Sequence, residues 1–181
     1  IETRLLSSGP RTNPWFRECS MRIIEKGDLV SFDTDLIGPY GYCSDISRSW
    51  LCGDKPSDEQ RRLYAAAYEQ IETNISVLKA GRTFLEVAEQ CWPIPEEFLS
   101  NRYSVSMHGV GLADEYPSIK HSVDVPGNAY DGVIEAGMTL CVESFIGSYG
   151  GREGVKLEEQ VIVTETGVER MSTYPYQVDW L

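Results

Sequence analysis

The chain has 181 residues, 41% hydrophobic and 24% charged, the make-up of one globular domain able to bury a core. Its formal net charge of −12 argues against a nucleic-acid partner and suits a cationic ligand. No apolar run approaches the ~20 residues of a membrane helix, and no basic-then-apolar leader opens the chain. Cys19, Cys43, Cys52, Cys91 and Cys141 form no CxxC pair and read as reduced cytoplasmic thiols.

Taken in order, residues 1–20 carry turn formers (Ser8-Gly9-Pro10, Asn13-Pro14) and then Trp15-Phe16, and read as a loop bearing aromatics. Leu29, Val30, Phe32, Leu36 and Ile37 predict a strand, Gly38-Pro39-Tyr40-Gly41 a turn, and residues 42–51 a returning strand that Gly53-Asp54-Lys55-Pro56 ends. Ser57 with Gln60 is a capping box opening a long helix to about Lys79. Its buried stripe is Leu63, Ala66, Ala67, Ile71, Ile75 and Leu78, and Gly81 fits its stop. Thr83 with Glu86 opens a shorter helix, broken by Pro93 and Pro95. After a loop comes Met107-His108-Gly109-Val110-Gly111, and residues 114–129, with Pro117, Pro126 and Gly127, read as loop. Residues 138–146 and 155–164 predict two long strands joined at Gly150-Gly151, and Val168 to Met171 predicts an edge strand. Without repeats or linkers the chain reads as one domain, mixed α+β.

Two hairpins concentrate the acids. Side chains two apart on a strand share a face, so Asp33 and Asp35 do, and folding about residue 39 sets Asp33 opposite Asp45. Like charges roughly 5 Å apart across strands need a cation between them, or one must hold a proton. A solvated acidic face is the plain alternative. The Gly150-Gly151 turn sets Glu143 opposite Glu158 within apolar runs, where an isolated carboxylate is costly. His108, one of two histidines, completes five carboxylates and an imidazole. Such a set suits a two-metal centre of iron, manganese, cobalt or zinc, the ions roughly 3.5 Å apart.

The segments FDTDLIGPYGYCSDISRSW, MHGVG, CVES and KLEEQVIVTETG, in that order, resemble the catalytic domain of the pita-bread metalloenzymes. These include methionine aminopeptidases, Xaa-Pro peptidases and creatinase. The resemblance runs from residue 8 to 167 and implies a mostly antiparallel curved sheet with covering helices. It implies Asp33, Asp35, Asp45, His108, Glu143 and Glu158 as ligands of two divalent ions. The family's usual N-terminal domain and first helical part have no counterpart in residues 1–181, which begin without Met. The chain is therefore read as one catalytic domain and as the C-terminal portion of a longer protein.

The departures from the family pattern are specific. Its peptidases carry a histidine after SGPNAA, where SSGPRTNPWF here places Pro14, Trp15 and Phe16. They carry a second one before Glu-x-Pro, where Asp114 precedes Glu115-Tyr116-Pro117. Those histidines bind and protonate the scissile amide. Their replacement by an acid and aromatics is similar to the dimethylsulfoniopropionate lyases of the same superfamily, the DddP class, which are iron-containing homodimers. That resemblance implies Asp114 as the base, with Tyr103 contacting substrate beside it. It also implies a π face for the sulfonium from Trp15, Phe16, Tyr103 or Tyr116. The partner expected is a small zwitterionic sulfonium substrate, with no nucleic acid and no membrane. Loop capping is the other reading of Asp114, and core packing that of each aromatic. An Xaa-Pro dipeptidase or aminopeptidase, or a non-catalytic module of the same fold, are the alternative functions.

Overall fold

The computed structural model describes residues 5–53, 55–128 and 130–181. In chain order the strands are β1 (Leu6–Ser8), β2 (Leu29–Asp33), β3 (Leu36–Ile37), β4 (Cys43–Ser44), β5 (Ser47–Leu51), β6 (Met107–Val110), β7 (Asp114–Ile119), β8 (Thr139–Ile146), β9 (Val155–Val163) and β10 (Val168–Arg170). The helices are α1 (Asp58–Ser76), α2 (Phe84–Gln90) and the single turns α3 (Glu96–Leu99) and α4 (Val125–Asn128). Every strand pairing is antiparallel: β1-β2-β5 form one sheet, β10-β9-β8-β6-β7 a second, and β3-β4 a short ribbon. No helix among the described residues is long and apolar enough to cross a membrane.

Both capping boxes form, at Ser57 with Gln60 and at Thr83 with Glu86. α1 ends at Ser76, short of Lys79, and lies on β8 and β9. Leu63, Ala67 and Ile71 from its stripe join Leu140, Val142, Leu157 and Val161 in the main core. Period-two alternation sends the other face of β8 and β9, with Glu143, Lys156 and Glu158, away from that core. The C-terminal aromatics pack as expected, Trp180 edge-on to Tyr64 and Tyr176 edge-on to Tyr68.

Two sheets must be joined for the acidic faces to meet, and the backbone of β9 ahead of the part that pairs with β10 does this. Ser49 Oγ donates to the Lys156 carbonyl at 2.9 Å and accepts from the Lys156 N–H at 3.2 Å. Arg48 Nη1 donates to the Glu158 carbonyl at 2.5 Å, while Nη2 pairs with Glu159 at 2.9 Å. The guanidinium also lies 4.0 Å over the Tyr176 ring. Buried backbone groups left by the end of the ladder are thus satisfied by β5 side chains.

Four sequence expectations are corrected. The first hairpin turns about Tyr40, not Pro39: Tyr40 (φ 63°) and Gly41 (φ 81°) are both left-handed, and Gly38 N–H closes onto the Tyr42 carbonyl. Asp33 consequently faces Ser47, and Asp35 and Asp45 sit at the unpaired step between Asp33↔Ser47 and Leu36↔Ser44. The loop read at residues 1–20 contains strand β1, which pairs with β2. The segment read as loop from Asp114 contains β7, whose Pro117 is tolerated because β7 is an edge strand. The Gly150-Gly151 joint is not a two-residue turn, since the strands end at Ile146 and Val155. Asn13 Nδ2 splays this loop by donating to Ser148 O at 2.9 Å and Gly151 O at 3.0 Å. The turn expected at Gly53 to Pro56 includes Asp54, which lies outside the described residues.

His121 supplies a pH test of the fold. It is buried, with Nε2 3.0 Å from the Tyr103 carbonyl, and burial lowers its pKa to about 4. The unfolded chain takes up this proton near pH 6.5 and the native chain does not until about pH 4, so stability falls as pH drops through that window. Between about pH 7.5 and about pH 5 this amounts to about 2 kcal/mol. Urea unfolding at both pH values should show the wild type losing that much more than His121→Gln; equal losses would contradict it.

Candidate metal centre

Asp33 ends β2, and its Oδ1 accepts from Ser47 Oγ at 2.5 Å. Beyond it the ladder breaks: Thr34 donates to the Ile46 carbonyl through both N–H (3.2 Å) and Oγ1 (3.0 Å). That brace turns Asp33, Asp35 and Asp45 inward, where one oxygen of each lies within 4.8 Å of the others. The Asp45 loop is pinned to the second sheet. Its N–H donates to Gln160 Oε1 at 3.2 Å, and the Cys141 thiol donates to its carbonyl.

The second half comes from β6, β8 and β9. His108 lies between Ser118 on β7 and Cys141 on β8, wholly buried. Gly109 beside it has no room for a Cβ, which would strike the Tyr116 carbonyl and the Pro117 ring. Glu143 and Glu158 face one another across β8 and β9, as the sequence predicts. His108 Nε2 is 3.3 Å from Glu143 Oε1, 3.7 Å from Asp45 Oδ2 and 3.8 Å from Glu158 Oε1. One atom each of Asp45, His108, Cys141 and Glu158 also lies within 4.8 Å of the others, so Asp45 belongs to both halves. All six residues read from the sequence as ligands are thus brought together.

This concentration of acid raises the pKa values of Asp45, Glu158 and His108. Burial, then Glu158 and Asp33, push the Asp45 carboxyl up; burial and Glu143 do the same to Glu158. Burial opposes an imidazolium at His108, yet Glu143 and Glu158 lift its pKa to about 10. The site draws in positive charge wherever a group can supply it. Two buried oxygens here, Asp45 Oδ1 and Glu158 Oε1, have no hydrogen-bond partner among the described residues. Orphaned carboxylate oxygens are rare in native interiors unless an ion serves them. Oxygen-rich ligands with one imidazole fit divalent first-row metals, so the residues present can hold metal ions.

Sequence reasoning missed Lys156, Ser47 and Glu115. Lys156 is fully buried; its Nζ bonds Glu143 Oε2, Ser47 Oγ (2.9 Å) and Glu158 Oε2 (3.2 Å), with Asp33 at 3.7 Å. Burial opposes its charge, but Asp33, Glu143 and Glu158 hold its pKa well above the ordinary lysine value. Its position two residues before Glu158 on a strand was the available signal. Ser47 was hidden by the misplaced turn. Glu115, left-handed at φ 66°, brings Oε2 within 4.0 Å of His108 Nε2.

Asp114 stands at the other edge of the imidazole, Oδ1 3.8 Å from Nδ1, and accepts from the Glu115 N–H. Trp15 and Tyr103 are buried beneath Lys156, whose Nζ lies 5.9 Å and 4.7 Å from their ring centres. Phe16 stacks on Tyr103 at 5.2 Å and Tyr116 on Tyr130 at 6.1 Å, and both remain largely exposed.

A family model described as metallopeptidase family M24 matches residues 3–165. The dimethylsulfoniopropionate lyase DddP of Roseovarius nubinhibens is 50% identical over 180 residues, covering 97% of this chain and 40% of its own length. The protein of that name from Roseobacter denitrificans is 46% identical over 177 residues, with the same coverage, 97% and 40%. Among solved structures, prolidase from Pyrococcus furiosus superposes with a TM-score of 0.79 at 28% identity, over 94% of this chain and 49% of that one. Dipeptidase PepE from Mycobacterium ulcerans does so at 0.80 and 27%, over 97% and 46%. The α+β pita-bread architecture is shared with them. The chain spans about 40% of the length of the curated relatives it matches.

Removing Asp45 should act in opposite directions on metal and on fold. Asp45→Ala deletes the carboxylate common to both halves, so affinity for divalent ions should fall roughly 100-fold or more. It also relieves crowding, so the metal-free protein should unfold at a higher temperature than metal-free wild type. Metal analysis and thermal unfolding read both; retained metal content would contradict the assignment.

Proposed function

This chain belongs to metallopeptidase family M24, and from that premise we propose that the complete protein is a metal-dependent carbon–sulfur lyase. Its substrate is dimethylsulfoniopropionate and its products are dimethyl sulfide and acrylate. Identities of 50% and 46% to proteins named for that reaction support the reading. The observation that carries it is Asp114, a carboxylate at the rim of His108 in the position where the peptidase pattern has a histidine. The one other histidine of the chain, His121, is buried against the Tyr103 carbonyl and is not placed to protonate an amide. A peptidase reading, which the prolidase neighbours favour, needs another proton donor in place of the two histidines of its pattern.

Asp33, Asp35, Asp45, His108, Glu143 and Glu158 would hold two divalent ions; the ligand types accept iron, manganese, cobalt or zinc, and the resemblance to the sulfonium lyases favours iron. When bound, such ions supply a Lewis-acid seat for a substrate carboxylate and so acidify the neighbouring C–H. Asp114 takes the proton from that carbon. The electron pair left behind forms the C=C bond of acrylate, the adjacent C–S bond breaks, and sulfur departs with the bonding pair as dimethyl sulfide. Phe16 and Tyr116 offer open π faces to the sulfonium, while Trp15 and Tyr103 face Lys156 and back the pocket wall. Burial and Glu143 raise the Tyr103 pKa, so it contacts substrate as a neutral phenol. The net charge of −12 and the five cysteines support a cytoplasmic enzyme without a nucleic-acid partner, and the DddP resemblance supports a homodimer.

The test is headspace analysis of the full-length, metal-loaded protein with the sulfonium substrate. Dimethyl sulfide and acrylate should appear in equal amounts, with no turnover of an Xaa-Pro dipeptide; the reverse pattern would contradict the proposal. Asp114→Asn should keep its metal and lose turnover roughly 1,000-fold. A loss that follows Glu115→Gln instead would move the base to the neighbouring carboxylate.

A further inference from the structure

Lys156 is the one lysine among the described residues whose ammonium enters the acidic cluster, and no water reaches it. An ammonium has three donors, and here three acceptors meet them: Ser47 Oγ, Glu143 Oε2 and Glu158 Oε2. The choice of oxygen matters. Each glutamate gives Oε2 to the lysine and turns Oε1 toward His108 Nε2, at 3.3 Å for Glu143 and 3.8 Å for Glu158. Ser47 extends the tripod to the first hairpin, its one O–H donating to Asp33 Oδ1 at 2.5 Å, with Glu158 Oε2 2.9 Å from the same oxygen. The rings of Tyr103 and Trp15 lie against the ammonium, 4.7 Å and 5.9 Å from it.

We propose that Lys156 is a built-in counter-ion and positioning residue of the metal centre, holding Glu143 and Glu158 with one oxygen of each turned inward before any ion arrives. Asp33, Asp35, Asp45, Glu143 and Glu158 carry five negative charges when ionised, and Lys156 reduces that to four. Two divalent ions cancel four. With a neutral side chain at this position a loaded site would keep a net negative charge, and an empty one would have no fixed cation to moderate repulsion. The compact ammonium also suits a three-point seat in a way a planar guanidinium does not. The inference rests on the site holding metal, whichever reaction follows.

The test is a charge-rescue cycle in the full-length protein, read by thermal unfolding with metal removed and by manganese content after reloading. Metal-free Lys156→Met should unfold roughly 5 °C or more below wild type, because the glutamates lose their partner. The Lys156→Met/Glu143→Gln double variant, which restores the charge balance, should recover most of that loss. Lys156→Arg should recover less, for want of the tripod. If Lys156 only fills space, the metal-free unfolding temperature of Lys156→Met will match wild type, or Glu143→Gln will add its own loss without rescue. Either result overturns the proposal. Should Lys156→Met fail to fold, the double variant still decides, since a space-filling role leaves it equally unfolded. Wild type that binds no manganese would instead sink the metal centre itself, a separate outcome from failure of the rescue.

Discussion

Like charges a few ångströms apart out of water govern this structure. At an effective dielectric constant of about 20, two carboxylates roughly 5 Å apart repel by about 3 kcal/mol, and the site assembles five. Nothing in strand propensity or core packing would select that arrangement; β8 and β9 would be steadier with apolar residues at Glu143 and Glu158. On the counter-ion proposal, the acids persist as a cluster because positive charge stands in their midst. Lys156 is the part of that charge covalently present, and the orphaned oxygens of Asp45 and Glu158 point to the part that is not.

The fold serves this constraint. Two acidic hairpins lie on separate sheets, so neither forms a centre alone. Ser49 and Arg48 carry β5 onto the stretch of β9 that β10 leaves unpaired, and Gln160 and Cys141 hold the Asp45 loop against the second sheet. β6 then brings His108 in beside Cys141 and Glu143, with Gly109 allowing β7 to close over it. Each contact satisfies a buried backbone group while it fixes the distance between acids, so packing and chemistry are set by the same bonds.

How much of this was legible in the sequence followed from how regular each segment is. Glu143 opposite Glu158 was readable because an unbroken antiparallel ladder keeps its count over eight residues of β8. The longer loop left the register unchanged because its centre stayed between Gly150 and Gly151. The first hairpin was misaligned because left-handed Tyr40 moves the centre of the turn by one residue, and the unpaired step between β2–β5 and β3–β4 then hides which acids meet. β7 was lost to Pro117, which marks an edge strand as readily as a loop. Lys156 was missed although its place two residues before Glu158 sets both on one face of the strand; that Glu143, Ser47 and Asp33 also surround it shows only in three dimensions. α1 and α2, each opened by a capping box, were the easiest part to read, while the single turns α3 and α4 fell in segments read as loop.

The family assignment rests on the ordered acids and His108, and the reaction on what surrounds them. Asp114 and Glu115 at the rim, and Phe16 and Tyr116 with open faces, are the groups that the proposed lyase reading uses to tell a sulfonium zwitterion from a peptide. All of these depend on a metal centre at the meeting of the two hairpins. The most direct test is anomalous diffraction from crystals of the complete protein grown with manganese, at the manganese edge. Two peaks roughly 3.5 Å apart, enclosed by Asp33, Asp35, Asp45, His108, Glu143 and Glu158, are the expected result. Metal density elsewhere on the protein, or a fully ordered acidic site holding Lys156 alone, would contradict it.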